Sequence, residues 1–297
     1  MPKWFWIGCA VGVGLLLLHP APLHAWTPGT HVFIAESILG HVELLPALVG
    51  DLLRAFPYDY LYGSIAADTS FAKKYAPRGR HPHAWHVAQE IHDHAESDAL
   101  RAFGLGYLSH LAADVVAHNY FVPRQLVQTA GPSGVAHAYW EARVEGTLHR
   151  DYTRQALDLI KMDHRPADRL LDQVLSPTLF SIPTNRRMFR GMVRLGDQRT
   201  WQQAIRLADD YSRIKLTEED VGRHLEHSLG AVHDLLSAED ALLRGRDPSG
   251  EETLHAAREL RRTVLAQGGR DLGRLRMEAE RVFGLPVPQP AKRAGSG

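Results

Sequence analysis

The chain has 297 residues, 44% of them hydrophobic, and 34 basic residues balance 34 acidic ones. That balance excludes recognition of a polyanion or polycation by bulk charge, and the length suffices for a substantial core. The single cysteine, Cys9, rules out a disulfide within the chain.

The first 25 residues read as a signal peptide. Lys3 opens them, an apolar run covers residues 7–18, Pro20 and Pro22 break it, and Leu23-His24-Ala25 offers a small-residue cleavage context. The run is shorter than the ~20 apolar residues that span a bilayer; an uncleaved anchor is the alternative. Cys9 precedes the leucines instead of closing them, so it does not read as a lipid attachment site. Cleavage after Ala25 would give a secreted or periplasmic chain of 272 residues without cysteine, beginning on Trp26 with His31 close behind.

The remainder predicts helix after helix. Pro28 suits a first turn behind a Thr27 cap, and residues 32–39 begin an apolar face. Over residues 97–120, Leu100, Phe103, Leu108, Leu111 and Val115 recur at helical spacing. A Pro-, Gly- and Ser-rich stretch at 123–134 predicts a loop, and residues 136–160 a further helical run. Thr217 with Asp220, and Ser249 with Glu252, read as capping boxes. Residues 171–283 are helical and arginine-rich, with charges expected on a solvated surface. Alternating β-pattern is scarce and no solenoid period recurs. The expectation is an all-α fold of eight to ten helices in one domain, residues 26–284, with arginine-rich helices over 163–284 and a disordered tail at 285–297.

Histidine is the outlier in composition: eleven of eighteen lie between His31 and His149, and imidazole is the commonest side-chain ligand for zinc. His110, Asp114 and His118 stand four apart, so one helix face presents all three. Ordinary core cannot hold two imidazoles and a carboxylate without partners; a hydrogen-bonded polar stripe is the bland alternative, and apolar residues packed between them favour metal. His137 and Glu141 repeat the device, with Trp140 available to pack beneath. Asp68 closes the apolar stretch GSIAAD, and His81, His83 and His86 compete for one role in HPHAWH. Together these residues offer two or three ligand sets of imidazole and carboxylate.

Taken in order, Trp26, His31, Asp68, His83, His110, Asp114, His118, His137 and Glu141 resemble the zinc-dependent phospholipase C family and its relatives, the fungal single-strand nucleases. The resemblance implies a trinuclear zinc site between helices, its ligands all within residues 26–141. One zinc would take Asp68, His83, His110 and Asp114. A second would take Trp26 through its freed amino nitrogen and carbonyl oxygen, His31 and the shared Asp114. A third would take His118, His137 and Glu141. His83 is selected over His81 and His86 by a His-x-Trp pattern. His118 follows Asp114 by four, where the well-studied secreted phospholipases have six, as in the phospholipase C/D branch. Thr69 and Arg80 stand where choline-preferring members carry aromatic residues, which argues against choline preference.

The implied activity is phosphodiester hydrolysis of phospholipids at a membrane surface by a metal-activated hydroxide, with two to three Zn2+ ions and Asp68 as the catalytic carboxylate. A single-strand nuclease using the same metals is the alternative; it would need a stacking platform, for which Trp85 and Tyr139 are candidates, while the cysteine-free chain favours the lipase-like branch. A non-catalytic zinc-binding protein is the third possibility. No specific protein partner is implied.

Overall fold

The computed structural model describes residues 26–70, 76–77, 79–130, 133–148, 151–177, 179–210, 212–268 and 271–286. The expected signal peptide and all but the start of the expected tail lie outside them. Among the described residues every regular element is helical, the all-α fold expected, in more segments than eight to ten. None of those helices is long and apolar enough to cross a membrane.

Helix α1 (Pro28–Leu39) starts as its sequence dictates: Thr27 Oγ1 accepts from the Thr30 amide, and Pro28 occupies the first turn. After a 3-10 turn (Val42–Leu44) come α2 (Ala47–Ala55), α3 (Pro57–Ala66) and a second 3-10 turn, Ala67–Thr69. Helix α4 (Trp85–Asp93) leads to α5 (Asp98–Val116), the central helix, capped by Ser97 and buried over most of its length. Helix α3 crosses α5 at Gly63 and Gly106, where the backbones touch. Tyr60 Oη donates to Ser109 Oγ across the same interface.

The helix does not stop at Val116. It widens into a π-turn (Ala117–Phe121) and resumes as α6 (Val122–Gln128). The loop expected from residue 123 onward is therefore helical as far as Gln128. Proline lacks an N–H and has a helix-compatible φ, so Pro123 opens a new turn where the sequence pattern suggested an end. Helix α7 (Ser133–Glu145) and helix α8 (Asp151–Leu159) divide the single run expected over 136–160. The break falls at Gly146-Thr147, two poor helix formers.

The C-terminal part comprises α9 (Arg165–Val174), α10 (Ile182–Gly196), α11 (Arg199–Asp210), α12 (Glu218–Leu236), the short α13 (Ala241–Arg244), α14 (Glu251–Gly268) and α15 (Leu272–Phe283). Thr217 caps α12 through the Asp220 amide, as expected. The box expected at Ser249 is replaced: the Asp247 carboxylate receives the amides of Ser249 and Glu251, and α14 opens at Glu251. Most arginines here are on the surface, but Arg186 is buried and binds the Asp168 carbonyl and the Asp172 carboxylate. One apolar cluster runs from Trp26 to Phe283, and α12, α14 and α15 pack on α5 and α6 as part of it.

Candidate metal centre

Helix α5 carries the centre. His110 and Asp114 project from successive turns, both fully buried. The α3–α5 crossing brings the end of α3 alongside, so the Ser64 carbonyl lies 2.8 Å from His110 Nδ1. A carbonyl only accepts, so the proton is on Nδ1 and Nε2 keeps its lone pair. The 3-10 turn beyond α3 delivers Asp68, fully buried, and Thr69 Oγ1 secures that turn on the Ala66 carbonyl. His83 enters from a loop fastened to α5 by Tyr107 Oη, which donates to the Pro82 carbonyl at 2.9 Å.

Four of these groups meet at their ligating atoms. His83 Nε2 lies 3.2 Å from His110 Nε2, 3.1 Å from Asp114 Oδ2 and 3.4 Å from Asp68 Oδ1. His110 Nε2 is 3.2 Å from Asp114 Oδ2 and 3.8 Å from Asp68 Oδ1. Zinc–ligand bonds of about 2.0–2.1 Å give a tetrahedron with edges of about 3.3 Å, so these separations suit one ion at the centre. Asp114 has a second oxygen, and it faces elsewhere: Oδ1 is 3.2 Å from His31 Nε2. His31 comes from α1 and stacks on His110, ring centroids 3.8 Å apart. Both Asp114 oxygens and His31 Nε2 are buried without a hydrogen bond of good geometry, as expected where a cation draws them together.

The charge states fit metal ligation too. Burial lowers the His31 imidazole from 6.5 to about 4, with His110 adding to the effect, so it is neutral near pH 7. Burial would raise Asp114, but His110, His31 and His83 together hold it well below the usual carboxylate range. Neutral imidazole and ionised carboxylate are the ligating forms.

A third group lies beside the first two. His118, His137 and Glu141 bring one ligating atom each within 4.8 Å of one another. His118 stands on the π-turn, with its ring 5.3 Å from that of His137 and 6.5 Å from that of His83. His137 and Glu141 share a face of α7, with His137 Nε2 2.7 Å from Glu141 Oε1.

Of the nine positions singled out in the sequence, eight side chains thus gather into these clusters. Trp26 differs. Its indole is wholly buried, donates to Ser228 Oγ of α12 at 3.2 Å and packs on Phe121. Of the three loop histidines, only His83 joins a cluster. His81 Nδ1 instead accepts from the His83 amide, and His86 sits on the surface against the Gly79 carbonyl. Arg80 is held by Glu90 and the Val174 carbonyl. The candidate stacking platforms are both in use: Trp85 donates to the Arg246 carbonyl, and Tyr139 packs on Trp140 and Arg143. Glu145, which the sequence pattern passed over, accepts from Thr153 and from the Thr27–Gly29 segment next to Trp26, and burial raises its carboxyl.

A family model for zinc-dependent phospholipase C matches residues 30–181, half of the chain and every clustered side chain above. The chain belongs to the zinc-dependent phospholipase C family. Comparisons with curated proteins and with solved structures give no match. Membership of the zinc-dependent phospholipase C family implies zinc as the metal and a lipid as the class of substrate.

Proposed function

We propose that the chain is an exported zinc-dependent phosphodiesterase of phospholipase C type, acting on phospholipid headgroups at a membrane surface. The observation that carries this reading is the division of Asp114, one oxygen toward His31 and the other toward His83 and His110. A carboxylate so divided could offer one oxygen to each of two metal ions.

The ligand sets follow: Asp68, His83, His110 and Asp114; then Trp26 through amino and carbonyl groups, His31 and Asp114; then His118, His137 and Glu141. Zinc held there would supply Lewis acidity toward phosphoryl oxygens and acidify a water. The rest falls to the chain. The Ser64 carbonyl keeps the His110 proton on Nδ1, burial keeps His31 neutral, and three imidazoles keep Asp114 ionised. Asp68, beside His83 and His110, would be the carboxylate placed to orient a water at the centre and accept its proton. Removal of residues 1–25 would free the Trp26 amino group, and the buried indole would hold it in position.

Purified protein beginning at Trp26, with its zinc counted, should release phosphorylated headgroups from mixed phospholipid vesicles and leave single-stranded DNA intact. DNA cleavage without lipid hydrolysis would replace this proposal with the nuclease. Full zinc loading with neither activity would leave a binding protein.

A further inference from the structure

We infer that the loop at residues 246–250, outside the family-matched segment, is the positioning device for His118 and completes the third metal position from the C-terminal part of the chain. The inference rests on taking His118, His137 and Glu141 as one ligand set.

The loop touches the centre's framework at four points. The Pro248 carbonyl oxygen lies 2.6 Å from His118 Nδ1. Because that oxygen only accepts, the imidazole proton is held on Nδ1, and Nε2 is the atom left to coordinate. Asn119 Nδ2 donates to the Asp247 carbonyl at 3.0 Å and to the Val115 carbonyl at 2.9 Å, while its Oδ1 accepts from Thr253 at 2.8 Å. This one side chain therefore ties the loop, the π-turn and α14 together. Trp85 Nε1 donates to the Arg246 carbonyl at 2.9 Å, fixing the loop's other end on α4.

Gly250 closes the device. Its φ is +60°, and a Cβ there would stand 2.5 Å from His118 Cβ and 2.7 Å from the His118 carbonyl oxygen. Only glycine adopts that backbone without strain and leaves the space that His118 occupies. Asp247 shapes the loop from the solvent side: its carboxylate accepts from the Ser249 amide at 2.9 Å, Ser249 Oγ at 2.5 Å and the Glu251 amide at 3.2 Å. The loop and the ligand are 130 residues apart in sequence, so the three ligating residues alone do not determine ring orientation.

The test counts zinc in the full mature chain by elemental analysis and follows each ion's release to a competing chromogenic chelator. His118→Ala should lose one ion. Gly250→Ala should release that same ion with affinity lowered on the order of tenfold or more, the others being held as in the unaltered protein. Asp247→Ala should weaken it in the same direction without any steric clash, and Asp247→Asn, which keeps one accepting oxygen, should weaken it less. In 15N-histidine spectra the His118 Nδ1 proton should be slow to exchange, and fast in Gly250→Ala. If Gly250→Ala, or Asp247→Ala should the former not fold, keeps every ion at full affinity while His118→Ala loses one, the loop inference is wrong and the ligand set stands. If His118→Ala keeps every ion, the ligand set itself is wrong.

Discussion

Gly63 and Gly106 meet with no space for a side chain: a Cβ on Gly106 would stand 3.0 Å from Gly63 Cα and 2.1 Å from the Tyr60 carbonyl oxygen. This contact sets the distance between α3 and α5, and hence the approach of the Ser64 carbonyl and Asp68 to His110. Gly106→Ala must push the helices apart. Overpacking of a tight core costs about 1–3 kcal/mol, so the melting temperature should fall. Zinc content should fall with it, because Asp68 withdraws from its cluster. Unchanged zinc by elemental analysis would mean that the crossing does not govern the centre.

Asp114 should be the least replaceable residue of the centre. Asp114→Asn converts one of the two facing oxygens into an amide that cannot ligate as a carboxylate does, so both neighbouring ions are affected. Loss of hydrolysis on the order of a hundredfold or more is expected. His86→Ala, in the same loop as His83 but bound on the surface to the Gly79 carbonyl, should change little. Similar losses from the two substitutions would mean that the wrong loop histidine has been assigned.

Metal should also be part of the fold. Metal-replete protein is expected to carry two to three zinc ions, and chelation should remove hydrolysis together with part of the helical circular dichroism, since binding and folding are linked. Less than one zinc per chain would rule out the centre described.

The Trp26 amino group offers a separate check. A free α-amino group has a reference pKa of ~7.7–8.0 and donates readily to a metal at neutral pH, whereas a peptide nitrogen does not. Protein starting at Trp26 should therefore outperform protein with Gly-Ser added before it, in both rate and zinc count. Equal performance would leave His31 to act without Trp26.

Away from the ligands, His224 gives a pH signature. Burial pushes its imidazole from 6.5 down to about 4, against a hydrogen bond in which Nδ1 donates to the Asp220 carbonyl. The folded value lies below the unfolded one, so the unfolded chain takes up the proton first as pH falls. The stability His224 contributes is whole above pH 6.5 and is lost toward pH 4, by at most about 3 kcal/mol. Urea midpoints should fall less steeply over this window in His224→Gln than in the unaltered protein, zinc being held equal. Parallel pH profiles would show that His224 is not the group responsible.

The helices were legible in the sequence because their apolar faces recur at 3.6 residues, and the centre because its imidazoles and carboxylates stand one turn apart in α5 and α7. What orients them was not legible. The Ser64 and Pro248 carbonyls act through backbone atoms that every residue possesses, and nothing in their side chains advertises the role. Gly63, Gly106 and Gly250 matter for the atoms they lack, at contacts between segments distant along the chain. Pro123 misled for a local reason: the same residue that ends a helix also begins one. The choice among His81, His83 and His86 rested on a resemblance, and it is the Tyr107–Pro82 tie that decides which imidazole points inward.

The π-turn has a consequence for how occupancy of the centre can be observed. Over Ala117–Phe121 the continuous helix widens to i to i+5 bonding, the Val122 amide reaching the Ala117 carbonyl, and Pro123 has no amide to return to this turn. The turn is a local departure from regular helix within backbone that is itself buried, so its amides report on local opening. His118 stands among them, so a ligand pinned through its ring also clamps this stretch of backbone. Deuterium uptake at residues 117–121 becomes a gauge of whether the third position is filled, readable on inactive variants and without any substrate.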